Sequence, residues 1–278
     1  MIRHKTGNEF LLFAQDDHAR FSAQLAEQLG NSWFNPPEPR KAVIDAIALH
    51  DAGWPLHDNE PTLNDAGQPL HVFETPIPIA ARIWSESVRV ALRTDTYTGF
   101  LVSLHVFALS ALSYQHYADP QDRRKNAKEL FELNKFQQSQ IEIQEKIRRQ
   151  MRLLTDVPLT LGLAPRGSGI EEDRLRFNYC LLKAMDQVSL AVLCGGKPFT
   201  TIEEVAPRSQ SDPLDLRVMY PAPWTVAISP WPFRVDQIEM QMPYRRVLTK
   251  PFASVEEFRK SYGQAAQEFQ IVRVLRAG

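Results

Sequence analysis

A chain of 278 residues and 31.8 kDa, 44% apolar and 23% charged, has room for one or two domains with a real core, which excludes disorder, collagen-like repeats and a small disulfide-stapled scaffold. Its 32 basic and 33 acidic residues leave a net charge of −1, too weak a field for non-specific binding to a nucleic-acid polymer or an anionic membrane surface. Residues 1–8 are polar and the apolar run at 10–14 is too short for a secretory h-region, so a cytoplasmic protein is expected.

Proline spacing sets the first divisions. None falls within 79–119, 121–157 or 166–197, and because an interior proline costs a helix about 3 kcal/mol, these gaps read as long helices. In chain order, a first helix opens at a cap on Asp16 or Asp17 and stops at Gly30-Asn31. A second runs to His50-Asp51 and is stopped by Gly53 and Pro55. A third covers the most apolar window, residues 97–112, which Ser103, His105 and Ser110 interrupt and which is shorter than the roughly 20 residues a bilayer requires. A charged amphipathic stretch at 123–154 follows, in which Glu129, Glu132, Glu142 and Glu145 interleave basic residues as on a solvated face. A fourth helix carries residues 175–193. It holds both cysteines, Cys180 and Cys194, fourteen residues apart; at about 21 Å along a helix they cannot form a disulfide.

Beyond residue 198 prolines become frequent, and 203–215 reads as a linker or exposed loop. Residues 225–229 and 237–242 alternate with period two, as half-buried strands do. Ser254 and Glu257 form a capping box that opens a helix to about Phe269, and 271–275 reads as a closing strand. The expected architecture is therefore mainly α: a helical part over residues 1–200, with a small antiparallel α+β part at 212–278 packed on it.

Laid out on their 3.6-residue period, the four helices each carry a polar residue on the apolar face. His18 lies with Phe21, Leu25 and Leu29; His50 with Val43 and Ile47; Asp51 with Ile44 and Ala48; His105 with Leu101, Ala108 and Leu112; and Asp186 with Leu175, Tyr179, Leu182, Ser189 and Leu193. One inward histidine is ordinary. An unpaired buried carboxylate costs several kcal/mol, and the nearest basic candidate partner in sequence is Lys183, one turn from Asp186. A divalent cation is the simplest common partner for imidazole nitrogens and carboxylate oxygens. His50-Asp51 sits in the last turn of its helix, where free carbonyls favour a cation. The two side chains point about 100° apart, so both reach one ion only if it lies between them.

The order His18, His50-Asp51, Asp186 resembles the H…HD…D pattern of the HD-domain metal-dependent phosphohydrolase superfamily. More narrowly, HDAGWPLHDNEP from His50, Gly67-Gln68-Pro69, Ser103-Leu104-His105 and Met185-Asp186-Gln187-Val188-Ser189-Leu190 are similar to a bacterial HD-like branch over residues 10–195. The resemblance implies an HD-domain-like helical bundle in which His18, His50, Asp51 and Asp186 hold a divalent ion (Fe, Mn, Zn, Ni or Mg). One tightly held ion is expected, with a second left open at His105, where two-metal members add an imidazole. Trp54 stands near where members often carry a lysine, so that lysine's neutralisation of phosphate is missing.

The leading expectation is a hydrolase of a small phosphate ester, a nucleotide or a phosphorylated metabolite, with Asp51 as ligand and orienter of the attacking water and His105 facing the substrate. Asp58, with His57 on the loop after Pro55, is the candidate general acid or base; its alternative is an exposed pair capping a turn. His71 is a loop histidine with a structural role. The loop at 166–169 precedes a helix start, a generic anion site, but Glu171, Glu172 and Asp173 follow it. The competing expectation is a non-catalytic metal- or ligand-binding sensor or scaffold; the third is a metal-free hydrogen-bonded core. The pattern leaves the oligomeric state open. GxSxG, GxxxxGK[ST] and GxGxxG do not occur, which argues against serine-hydrolase, P-loop and Rossmann sites.

Overall fold

A computed structural model describes residues 1–118, 126–153, 170–195, 199–208 and 213–277. The chain begins with a hairpin: β1 (Ile2–Thr6) and β2 (Glu9–Phe13) flank a tight turn in which Gly7 takes φ +57°, a left-handed value open to glycine without steric cost. The helices α1 (Gln15–Glu27), α2 (Arg40–Leu49), α3 (Pro55–Asp58), α4 (Ile77–Thr94), α5 (Thr96–Tyr117), α6 (Ala127–Gln150) and α7 (Ile170–Leu193) follow. A 3-10 turn at Val72–Glu74 precedes α4. The chain then forms β3 (Thr201–Val205), β4 (Leu214–Ala222), β5 (Thr225–Ser229), β6 (Gln237–Leu248), α8 (Val255–Gln264) and β7 (Gln267–Arg276).

All seven strands join one sheet in the order β1-β2-β6-β7-β5-β4-β3. Every neighbouring pair is antiparallel except β5 and β7, which run parallel. This overturns the expectation of a mainly α HD-like bundle with a small antiparallel appendage: the sheet is a full layer, it is mixed, and it takes in the N-terminal hairpin through the β2–β6 pairing. The physical reason is burial on both faces. Leu11 and Phe13 of β2 enter the core shared with the helices, while Phe10 and Leu12 pack with Val247, Phe252 and Phe258 beneath α8. A strand covered on both sides shows no period-two alternation. Part of the stretch read as a linker is also strand: β3 buries Ile202 and Val205 across a register shift, and β4 alternates inward Leu216 and Val218 with outward Arg217.

Helices α1 and α7 pack on each other and contact the sheet, with α2, α4, α5 and α6 stacked around them. One core runs through both layers, from Phe21, Ile47 and Leu101 on the helices to Val226 and Val274 on the strands. The strands at 225–229 and 237–242 form where alternation places them, the second extending to Leu248. Ser254 caps α8 by accepting from the Glu257 N–H, and the helix ends at Gln264 because the closing strand starts at Gln267. Helix α1 begins after Ala14 rather than at Asp16 or Asp17, which sit in its first turn, where the helix dipole favours acids. The proline-free gap at 79–119 holds two helices, α4 and α5, divided at Asp95, which accepts from the Tyr97 and Thr98 N–H groups at the start of the 22-residue α5. Among the described residues it alone has the length and composition to cross a membrane, and most of its apolar window is buried within the fold. Of the 123–154 stretch, α6 is described, and its Arg148 is buried against Glu172 and over the Phe100 ring. Residues 123–125 and the 166–169 loop lie outside the described residues.

Candidate metal centre

The inward stripes of α1, α2, α5 and α7 converge on one point. His18 comes from α1, His50 caps the C-terminus of α2 with Asp51 next to it, His105 comes from α5 and Asp186 from α7; all five are buried. Gly53 allows the His50–Asp51 turn to press against α4. A Cβ at that position would lie 2.0 Å from the Ile83 carbonyl oxygen, and the Gly53 N–H donates to Ser87 Oγ at 2.9 Å.

His18, His50 and Asp51 are each oriented by a contact outside the donor cluster. His50 Nδ1–H donates to the Ile47 carbonyl at 2.7 Å, which leaves Nε2 facing the cluster. That buried nitrogen has no hydrogen-bond partner and lies 3.6 Å from both Asp51 Oδ2 and Asp186 Oδ1. His18 Nδ1 lies 2.7 Å from Ser189 Oγ, and its Nε2 lies 2.9 Å from Asp186 Oδ1 and 4.0 Å from Asp51 Oδ2. Asp51 accepts from Trp54 Nε1–H on Oδ1 and from Gln15 Nε2–H on Oδ2, each at 3.1 Å. His105 Nε2 is 3.7 Å from the second oxygen of Asp186, and its ring lies 5.1 Å from that of His50.

These separations are close to what a cation needs. Two donors on one ion with bonds of about 2.1 Å stand about 3.0 Å apart in octahedral and about 3.4 Å apart in tetrahedral geometry; His18 and Asp186, 2.9 Å apart, match the first, and the pairs at 3.6, 3.6 and 4.0 Å among His18, His50, Asp51 and Asp186 lie a few tenths of an ångström wider. Two overlapping groups, His18/His50/Asp51 and His50/His105/Asp186, could hold a metal ion. The electrostatics agree. Burial works against charge on His50, but Asp51 and Asp186 overcome it and raise its pKa to about 9. Burial also opposes charge on Asp186, yet the hydrogen bond with His18 and the positive charge on His50 hold its carboxyl well below the usual range. On Asp51 burial prevails and pushes the carboxyl up against the pull of His50 and His18. Burial lowers His105 to about 4, leaving a neutral imidazole near pH 7. Without a metal, a proton on His50 supplies the positive charge that the two carboxylates demand.

The cluster opens into a cavity of about 290 Å³ whose lining includes His50, Asp51, His105 and Asp186 together with Trp54, Ile77, Trp84 and Leu109. Asp58 does not line it. One Asp58 oxygen accepts from the Met1 amino group and the other from the Gln15 backbone N–H, each at 2.9 Å, and its carboxyl is held low against burial mainly by that amino group. His57 and Asp58 are a buried pair on α3, not an exposed loop, with His57 Nε2 3.1 Å from Thr62 Oγ1. His71 caps the 3-10 turn by accepting from the Phe73 N–H. Lys183 pairs with Glu204 at 3.6 Å. Gln15, which holds Asp51 and borders the cavity, had no signal in the sequence; Ser189 and Trp54 were visible only as a stripe member and a missing lysine.

Fold and site together define an α+β protein in which helices on a mixed sheet enclose a buried His/Asp cluster able to hold a cation beside a cavity. The chain belongs to the family described as "Protein of unknown function (DUF3891)", which matches residues 1–249, the hairpin through the end of β6. No curated protein and no solved structure matches the chain.

Proposed function

We propose that this protein is a metal-dependent hydrolase of a small phosphate ester. The reading rests on one observation above the others: the buried, unpartnered Nε2 of His50, aimed between the carboxylates of Asp51 and Asp186. His18, His50, Asp51 and Asp186 would hold one divalent transition metal. Such an ion supplies a water of lowered pKa and neutralises charge on a phosphoryl oxygen. Trp54 and Gln15 fix the carboxylate plane of Asp51, so Oδ2 stays turned toward the histidines. His105, neutral and next to Asp186 on the cavity wall, is placed to hydrogen-bond the substrate. The apolar part of the wall keeps bulk water from the reacting group.

The second reading, a metal-bearing sensor or scaffold, is favoured by a lining without Lys or Arg among the described residues. Turnover separates the two. Metal-loaded protein should release phosphate from a panel of phosphomonoesters, lose that activity on chelation, and lose at least tenfold in His105→Ala with metal content unchanged. Stoichiometric metal with no turnover across the panel favours the sensor.

A further inference from the structure

The cavity beside the cluster holds more information than the donors do. Its wall is made by Trp54, Ile77, Trp84 and Leu109, and at its mouth stand Phe73 from the 3-10 turn and Leu112 from α5, 62% and 64% exposed. Large apolar side chains left this open at the mouth of an apolar cavity mark a binding groove more often than a free surface. Among the described lining residues there is no lysine or arginine, and the acidic ones are Asp51 and Asp186. A di- or triphosphate chain would meet carboxylates there with no guanidinium or ammonium to pair with it. An apolar ring would meet matching surface: an engineered cavity of roughly 150 Å³ lined by Leu, Ile and Phe takes up benzene, and this one is about 290 Å³, enough for a ring and one reacting group.

We propose that the site takes a small organic monoester whose body is an apolar, ring-sized group, seated against Trp54, Trp84, Ile77 and Leu109 and covered at the mouth by Phe73 and Leu112. This rests on the hydrolase reading for the reacting end only; the apolar subsite stands on the cavity itself.

The test is calorimetric titration of the full, metal-loaded chain with two non-hydrolysable probes that share a phosphonate and differ in the body, benzylphosphonate and 2-hydroxyethylphosphonate. Benzylphosphonate should bind at least tenfold tighter. Phe73→Ser with Leu112→Ser, both at exposed positions, should cut that preference at least threefold while metal content and the melting temperature stay put. Equal affinities, tighter binding of the hydroxyethyl probe, or a double variant that keeps the full preference overturns the proposal. If the purified chain carries metal but shows no preference, only the subsite fails. If it carries no metal, the hydrolase reading fails, and benzyl alcohol against ethylene glycol reads the subsite without the anionic anchor: no preference for benzyl alcohol then overturns it too.

Discussion

Asp51 is gripped on both oxygens, by the Trp54 indole and the Gln15 amide, each at 3.1 Å. Partners that orient a ligand in this way are typically worth about 10- to 100-fold in metal affinity. Trp54→Phe deletes the indole N–H along with part of a buried ring, so it should weaken metal binding by about that factor, read by competition with a chromogenic chelator, while the melting temperature reports the packing loss separately. His71 gives a pH prediction. Burial, then the positive charge of Arg3, lowers its pKa from 6.5 to about 4. The folded protein therefore resists a proton that the unfolded chain accepts: the contribution is complete above pH 6.5 and is lost as pH falls toward 4. His105, also near 4, acts with the same sign. Urea midpoints measured from pH 7 to 4 should fall, and less steeply in His71→Asn, where the amide oxygen still caps the 3-10 turn without titrating. An unchanged slope would contradict the assignment. At this scale the sequence was informative: His18, His50, Asp51, His105 and Asp186 each stood on an apolar stripe, and periodicity alone sent all five to one interior. The fates of Gln15 and Asp58 were not legible, because both depend on contacts between β2, α1 and α3 that no local pattern encodes.

Elements position this cluster through close backbone approach as much as through side-chain packing. Gly53 lets the turn after α2 touch α4, and a methyl group there must displace the Ile83 carbonyl. Gly53→Ala should therefore destabilise the protein by about 1–3 kcal/mol, as overpacking does, and lower metal content by shifting the His50–Asp51 turn; a stable variant with full metal would show that the turn can move. The strand at 237–242 was readable because it buries one face and alternates cleanly; the one at 225–229 showed through its sequence alternation although Thr225 to Ile228 are all buried, and the long helices through their proline-free gaps and apolar stripes. β2 was not, since Phe10 to Phe13 are buried on both faces; the Gly7-Asn8 pair between two short runs was the available hairpin signal.

The whole molecule is tied together by a sheet that joins the two ends of the chain. β6 pairs with β2 on one side and β7 on the other, and one apolar core spans the helices and strands. Heating should accordingly give a single cooperative transition in which helical and strand signals are lost together; two separated transitions would mean that helices and sheet fold independently. That core also buries the donor set, and the His50 nitrogen aimed between the two carboxylates has no hydrogen-bond partner, an arrangement that costs free energy unless a proton or a cation completes it. The central claim, that a cation completes the cluster, is tested most directly by elemental analysis of protein purified without chelator, wild type beside Asp51→Ala. The account predicts close to one divalent transition metal per wild-type chain, and loss of most of it in Asp51→Ala with the circular dichroism spectrum unchanged. A folded wild type that is free of metal and takes up none on addition would contradict it.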